Sequence, residues 1–124
     1  MPHASEHSAV ARPLGAREAD ELAETLKALA SRGRLFVLTE LLAGERTVEQ
    51  LAAAAGLSVS ATSHHLRLLR TLRLVRPRRD GRHVRYVLHD HHLAELLAAV
   101  RHHHEHVHPP APIELPAAHV KEPG

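Results

Sequence analysis

At 124 residues the chain has the length of one small domain, and its 44% apolar residues include only 2% aromatic ones, so a core has to be assembled from Leu, Ala and Val, which suits packed helices better than a β-sandwich. It has no cysteine, which excludes a disulfide framework and a thiolate metal site and leaves nitrogen and oxygen as metal donors. The formal net charge of +2 conceals a division, because residues 1–50 carry eight acids whereas residues 67–85 carry eight of the sixteen Lys and Arg and a single acid, Asp80.

No apolar run approaches the length that spans a bilayer, and the opening MPHASEHSAVARP lacks the charged and apolar regions of a secretory signal, so a cytoplasmic protein with no membrane partner is expected. Residues 1–16 are rich in Ala, Ser, His, Pro and Gly and read as a flexible arm. From Glu18 to Leu29 the positions Leu22, Leu26 and Leu29 recur at helical spacing. Ser31 then N-caps a second helix that buries Leu35, Leu38, Leu41 and Leu42 and stops at Gly44. Thr47 with Gln50 forms a capping box for a short helix ending at Gly56. Ser58 or Ser60 caps the next helix, whose buried face is Leu66, Leu69 and Leu72. In LVRPRRDGRHVRYVLH, Val75, Val84, Tyr86 and Leu88 alternate with Arg and His around Asp80-Gly81, a two-residue hairpin turn. Pro77 is tolerable there because both strands of a two-stranded hairpin are edges. The last helix lies in DHHLAELLAAVRHHHEHVH, and the Pro-rich tail PPAPIELPAAHVKEPG, residues 109–124, cannot prolong it. The expected architecture is mostly α with a β-hairpin wing, a winged helix-turn-helix domain over residues 17–108.

Such a unit suits DNA. Ser60, Thr62, Ser63 and His64 in the first turns of the second helix of the motif are polar and expected to be exposed, where they reach base edges or phosphates. Arg67 and Arg70 follow, and Arg76, Arg78, Arg79, Arg82 and Arg85 cover the wing, where guanidinium groups pair with phosphate oxygens. A merely solvated basic surface does not account for the avoidance of acids in this segment. His65 and His83 either serve the same face or have no role.

LKALASRGRLFVLTELL followed by TVEQLAAAAGLSVSATSHHLRLLRTLRLVRPRRDGRHVRYVLHD resembles the ArsR/SmtB family of metal-responsive winged-helix repressors over about residues 20–108. The resemblance implies a homodimer, paired through its first and last helices, on double-stranded palindromic operator DNA, with Ser60, Ser63 and His64 at the family's usual contact positions. Val59 departs from the Gln that many members carry there and can only pack or touch a thymine methyl.

The resemblance also makes sense of a final helix with histidines at both ends. Asp90 and His92 open it, His103 and His106 close it, and this Asp-x-His and His-x-x-His spacing matches the family's interfacial metal site. His92 and His103 are eleven residues apart, so they share a face but stand roughly 16 Å apart along the axis, too far for one ion within one chain. Antiparallel pairing of two such helices about a twofold axis brings Asp90 and His92 of one protomer to His103 and His106 of its partner, with Leu93, Leu96, Leu97 and Val100 as the apolar seam. His91, His102 and His104 point off that seam. The family's cysteine-bearing site is replaced by Thr47-Val48-Glu49, which argues against arsenic, cadmium or lead.

Four such donors close a tetrahedron for zinc, whereas nickel and cobalt favour six. His3 and His108 are available to complete an octahedron, and the resemblance extends to the family's nickel and cobalt sensors. The expected function is a transcriptional regulator, a repressor, responsive to nickel or cobalt; a zinc sensor is the alternative, and a His-rich metal-storage protein is a more distant one that leaves the arginine wing unexplained. No acid/base pair outside the quartet points to an enzyme.

Overall fold

The computed structural model describes residues 12–111, which form five helices and one antiparallel hairpin. In chain order these are α1 (Ala16–Leu29), α2 (Arg32–Ala43), α3 (Val48–Ala55), α4 (Val59–Thr71), β1 (Val75–Asp80), β2 (His83–Leu88) and α5 (His91–Val107). The chain up to Asp90 forms one compact unit and the chain from His91 another. Most of the proposed arm and tail, with His3, lies outside the described residues.

Local chemistry sets the boundaries. The Ser31 hydroxyl accepts from the Arg34 N–H at 3.3 Å. Thr47 and Gln50 satisfy each other's backbone N–H groups at 3.2 and 2.9 Å, a complete capping box. Of the two serines before α4, Ser58 is the cap, accepting from the Ala61 N–H at 3.0 Å. α1 begins at Ala16, two residues before the first position that its leucine pattern marks, because Ala and Arg are good helix formers.

α3 and α4 end alike. Gly56 takes a left-handed φ of 68°, and the N–H groups of Gly56 and Leu57 return to the carbonyls of Ala53 and Ala52. At the end of α4 the same pair of bonds runs from Arg73 and Leu74 to Arg70 and Leu69, at 2.9 and 2.8 Å, but the left-handed residue is Arg73, with φ 60°. Among the described residues it is the one non-glycine with positive φ.

The core of the first unit is made by Val37, Leu38 and Leu41 of α2, Leu51 and Ala52 of α3, Leu66 and Leu69 of α4, and Leu74 with Val75 at the entry to the wing. Leu35 is not buried as expected: it is 42% exposed, because Val37 completes the inward arc with Leu38 and Leu41. Leu72 is half-buried. On α1 only Ala28 is buried, and Leu22 and Leu26 remain 45% and 57% exposed.

The hairpin register pairs Val75 with Leu88 and closes at Asp80 opposite His83, so the two loop residues are Gly81 and Arg82, one position later than the sequence pattern suggests. Gly81 has φ 63° whereas Arg82 does not enter the left-handed region, the pattern of a II′ turn with Gly first. Beyond β2, Arg46 pairs with Tyr86 through two backbone bonds, Tyr86 N–H to Arg46 at 2.7 Å and Arg46 N–H to Tyr86 at 3.3 Å. β2 is therefore covered on both sides at this point. Since both backbone groups of Tyr86 face Arg46, its pair with Pro77 is one that makes no ladder bonds, and the N–H that Pro77 lacks is not needed.

α5 buries Leu93 and Leu97 and exposes Leu96 and Val100, at 42% and 58%. Among the described residues no helix is long and apolar enough to cross a membrane.

Candidate functional site

α4 is fixed from within by Leu66 and Leu69, and by Thr62, which is fully buried with its hydroxyl donating to the Ser58 carbonyl at 2.9 Å. Thr62 is thus not on the exposed face that the sequence suggests; its polarity is consumed inside the helix, one turn back. The outward face is the row Ser60, Ser63, His64 and Arg67, at spacings of three and four, of which Ser60, His64 and Arg67 are exposed and Ser63 half-buried. His64, Arg67, Leu68 and Thr71 line a shallow depression farther along, and Val59 at the first helical position is 46% exposed.

His65, one position round the helix, turns the other way. Arg34 joins two elements to it: its Nε donates to the Ala28 carbonyl in the last turn of α1 at 2.6 Å, and its Nη1 lies 3.4 Å from His65 Nδ1. The other ring nitrogen packs over Gly33, where a Cβ would come within 2.9 Å of it. Burial lowers the pKa of His65 below its ordinary value, and Arg34 and His64 push in the same direction. This positioning of α4 was not legible as such, since nothing in the sequence distinguishes His65 from its exposed neighbour.

The arginines divide into two groups. Arg78 is held by Glu45, in the loop between α2 and α3, through a two-pronged contact with its Nε donating at 2.8 Å. That bond lowers the Glu45 pKa and raises that of Arg78. Arg85 is paired with Asp80 at 3.4 Å. Arg78, expected at phosphates, is here the tether that fixes the wing to the helical body. Arg67, Arg70, Arg73, Arg76, Arg79 and Arg82 are exposed, with no ion pair among the described residues. Unneutralised guanidinium groups on α4 and the wing can displace counterions from a polyanion.

The metal-ligand candidates are exposed at the two ends of the last helix: Asp90 immediately before α5, His92 in its first turn, His106 in its last and His103 just before that turn. Among the described residues no three His, Asp or Glu gather within one chain. Helical angles place His92 and His103 within about 20° of each other and His106 about 60° to one side, bordering the exposed Leu96 and Val100. His104 and His108 stand on another face, with ring centroids 4.6 Å apart, and the His108 N–H still bonds the His104 carbonyl at 2.8 Å.

Comparison with known proteins agrees with the winged helix-turn-helix fold. Residues 31–76, from the cap of α2 into β1, match the model of the bacterial regulatory protein, arsR family. The chain is 47% identical over 96 residues to the HTH-type transcriptional regulator NmtR of Mycobacterium tuberculosis, covering 77% of this chain and 80% of the relative. It is 45% identical to a transcriptional repressor SmtB homolog of Synechocystis over 69% of this chain and 65% of that one. Among solved structures, the homodimeric winged helix-turn-helix DNA-binding domain of a possible ArsR-family regulator from Mycobacterium bovis has a TM-score of 0.66 at 35% identity, covering 79% of this chain and 97% of that one. These relatives are transcriptional regulators rather than enzymes, and the chain belongs to the ArsR family of bacterial regulatory proteins.

Proposed function

We propose that the chain is a cytoplasmic transcriptional repressor that binds operator DNA as a homodimer and responds to nickel or cobalt. The observation that carries the DNA half is the outward row Ser60, Ser63, His64 and Arg67 on α4 together with Arg79 and Arg82 on the wing, exposed and without an ion pair among the described residues. The row can enter a major groove while the wing takes phosphates. The homodimeric state of the M. bovis domain supports a dimer here, as do the apolar side chains that α1 and α5 leave exposed.

The metal half rests on the donor set. One carboxylate and three imidazoles, without sulfur, fit a borderline first-row dication. Asp90 and His92 of one protomer with His103 and His106 of its partner would hold it, and the bound ion would cross-link the two last helices. A six-coordinate nickel or cobalt ion would take its remaining positions from His3, which lies outside the described residues, and from solvent, because His108, just past α5, stands beside His104. Zinc is the second reading, favoured by the count of four donors, which is the number that closes a tetrahedron.

Fluorescence anisotropy on the DNA upstream of the protein's own gene tests both halves. The metal-free protein is expected to bind this DNA better than unrelated sequence, and nickel or cobalt to weaken it by about 5 to 150-fold, a coupling of about 1–3 kcal/mol. Equal affinity for unrelated DNA rejects the operator, and indifference to nickel, cobalt and zinc alike rejects the sensor. Intense tetrahedral d–d bands in the cobalt-loaded protein, unchanged by His3→Ala, make zinc the cognate ion.

A further inference from the structure

Two of the imidazoles that the quartet leaves unused are placed as a pair. His104 and His108 are one helical turn apart, both exposed, with ring centroids 4.6 Å apart and planes tilted by 39°. Side chains at i and i+4 on a helix project in parallel, and two histidines so placed are a chelating unit for a first-row dication, as in the zinc-binding helix motif with two His at that spacing. The neighbouring charges do not occupy the pair: Arg101 and Glu105 are engaged with each other at 3.7 Å. Another i, i+4 combination in α5 is taken differently, with His91 Nε2 bonded to Glu95 at 3.2 Å.

We propose that His104 and His108 form a second divalent-metal site, separate from the quartet. Successive residues on a helix are about 100° apart, which puts His108 about 160° around the axis from His106 and about 140° from His103. One ion cannot take His108 together with those two from the same helix while the last turn keeps this conformation. The ion would be one with a preference for imidazole nitrogen, such as nickel, copper or zinc, its other positions filled by water. Binding two ligands on one turn also fastens the end of the helix, where backbone hydrogen bonds fray most readily. His106 stands within that turn and His103 immediately before it, so an ion on His104 and His108 holds them in helical register. The second site thus bears on the regulatory one without sharing a ligand with it.

The test is a titration of the full-length protein with zinc alone, a diamagnetic probe, followed through the imidazole ¹⁵N resonances of the individual histidines. His104 and His108 are expected to shift together, at a zinc concentration different from the one at which His92, His103 and His106 respond. His104→Ala should weaken the zinc-induced shift of His108 by about tenfold or more in apparent affinity, because one imidazole lacks the effective concentration its partner supplies. The quartet resonances should keep their own response. A His108 signal that moves in step with the quartet, or that is indifferent to His104→Ala, overturns the proposal, as does the absence of any shift at millimolar zinc. The outcome does not depend on the quartet: a protein whose quartet fails to bind can still show the paired shift.

Discussion

Arg34 can only donate hydrogen bonds, and this fixes the chemistry of His65. With the guanidinium 3.4 Å from Nδ1, that nitrogen can take part in a hydrogen bond only as the acceptor, which the neutral ring protonated on Nε2 provides. Burial, the first cause of its lowered pKa, acts in the same sense. Since the folded value lies below the ordinary 6.5, the unfolded chain takes up this proton first as the solution is acidified. The stability contributed by the neutral ring is therefore complete above about pH 6.5 and declines as the pH falls below it. His65→Asn, which keeps an acceptor but does not titrate, should flatten the decline in melting temperature between about pH 7 and 5; identical slopes for the two proteins would dismiss the role given to His65. Arg73 makes a second prediction at this scale. A left-handed conformation costs a non-glycine residue roughly 1–2 kcal/mol, part of which glycine returns through its larger unfolded-state entropy. Arg73→Gly should stabilise the fold by about 1 kcal/mol in denaturant unfolding. If Arg73 meets a phosphate, the same substitution weakens operator binding and flattens its salt dependence, and a gain in stability with unaltered DNA binding assigns it no part in the interface.

The wing is an element with two kinds of arginine, and the distinction can be measured. Loss of the Arg78 guanidinium releases Glu45 and leaves the hairpin attached to the body through the paired backbones of Arg46 and Tyr86. Arg78→Ala should raise amide exchange in β1 and β2, with only an indirect effect on DNA. Arg79→Ala or Arg82→Ala should leave exchange unchanged and lower affinity for all sequences, reducing the salt slope by about one per lost phosphate contact. The reverse pattern would return Arg78 to the interface. Because Glu45 is held below its ordinary pKa, the tether is intact above the usual carboxylate range and is lost only as pH falls through that lowered value. The capping residues of these elements could be read directly: Ser31, Thr47 with Gln50, and Gly56 act within three or four residues of themselves, so composition and spacing contain the whole interaction. The outer row of α4 was legible for the same reason, through its period. Thr62 was not, since a hydroxyl that closes on the carbonyl of Ser58 looks in the sequence like one that faces solvent. Arg78 was not, because its partner lies 33 residues away and no periodicity connects them. Leu22, Leu26 and Leu35 carry a helical apolar pattern and are exposed in the isolated chain, because pattern records that a face will be covered without saying by which molecule.

The proposed quartet would become a site only between two protomers, and the length of α5 puts this to a test. Its 17 residues separate His92 from His103 by about 16 Å, so a shared ion requires the ends of two helices to meet. Suppose one chain carries His92→Ala and the other His103→Ala. If each ion draws its first pair of ligands from one protomer and its second from the other, both lesions of the mixed dimer fall in the same pocket and the other pocket is whole. Each homodimer alone has two damaged pockets and should bind weakly. Co-expressed, separately tagged chains should therefore yield a heterodimer with one tight metal per dimer, half the wild-type capacity. Linkage extends the prediction to function, since whatever factor the metal takes from operator affinity the operator must take from metal affinity. The heterodimer should accordingly show a metal response on DNA that neither parent shows. A heterodimer with no tight site would mean that His92 and His103 serve the same chain, and the dimer would then have to transmit the signal by a route that does not pass between its last helices.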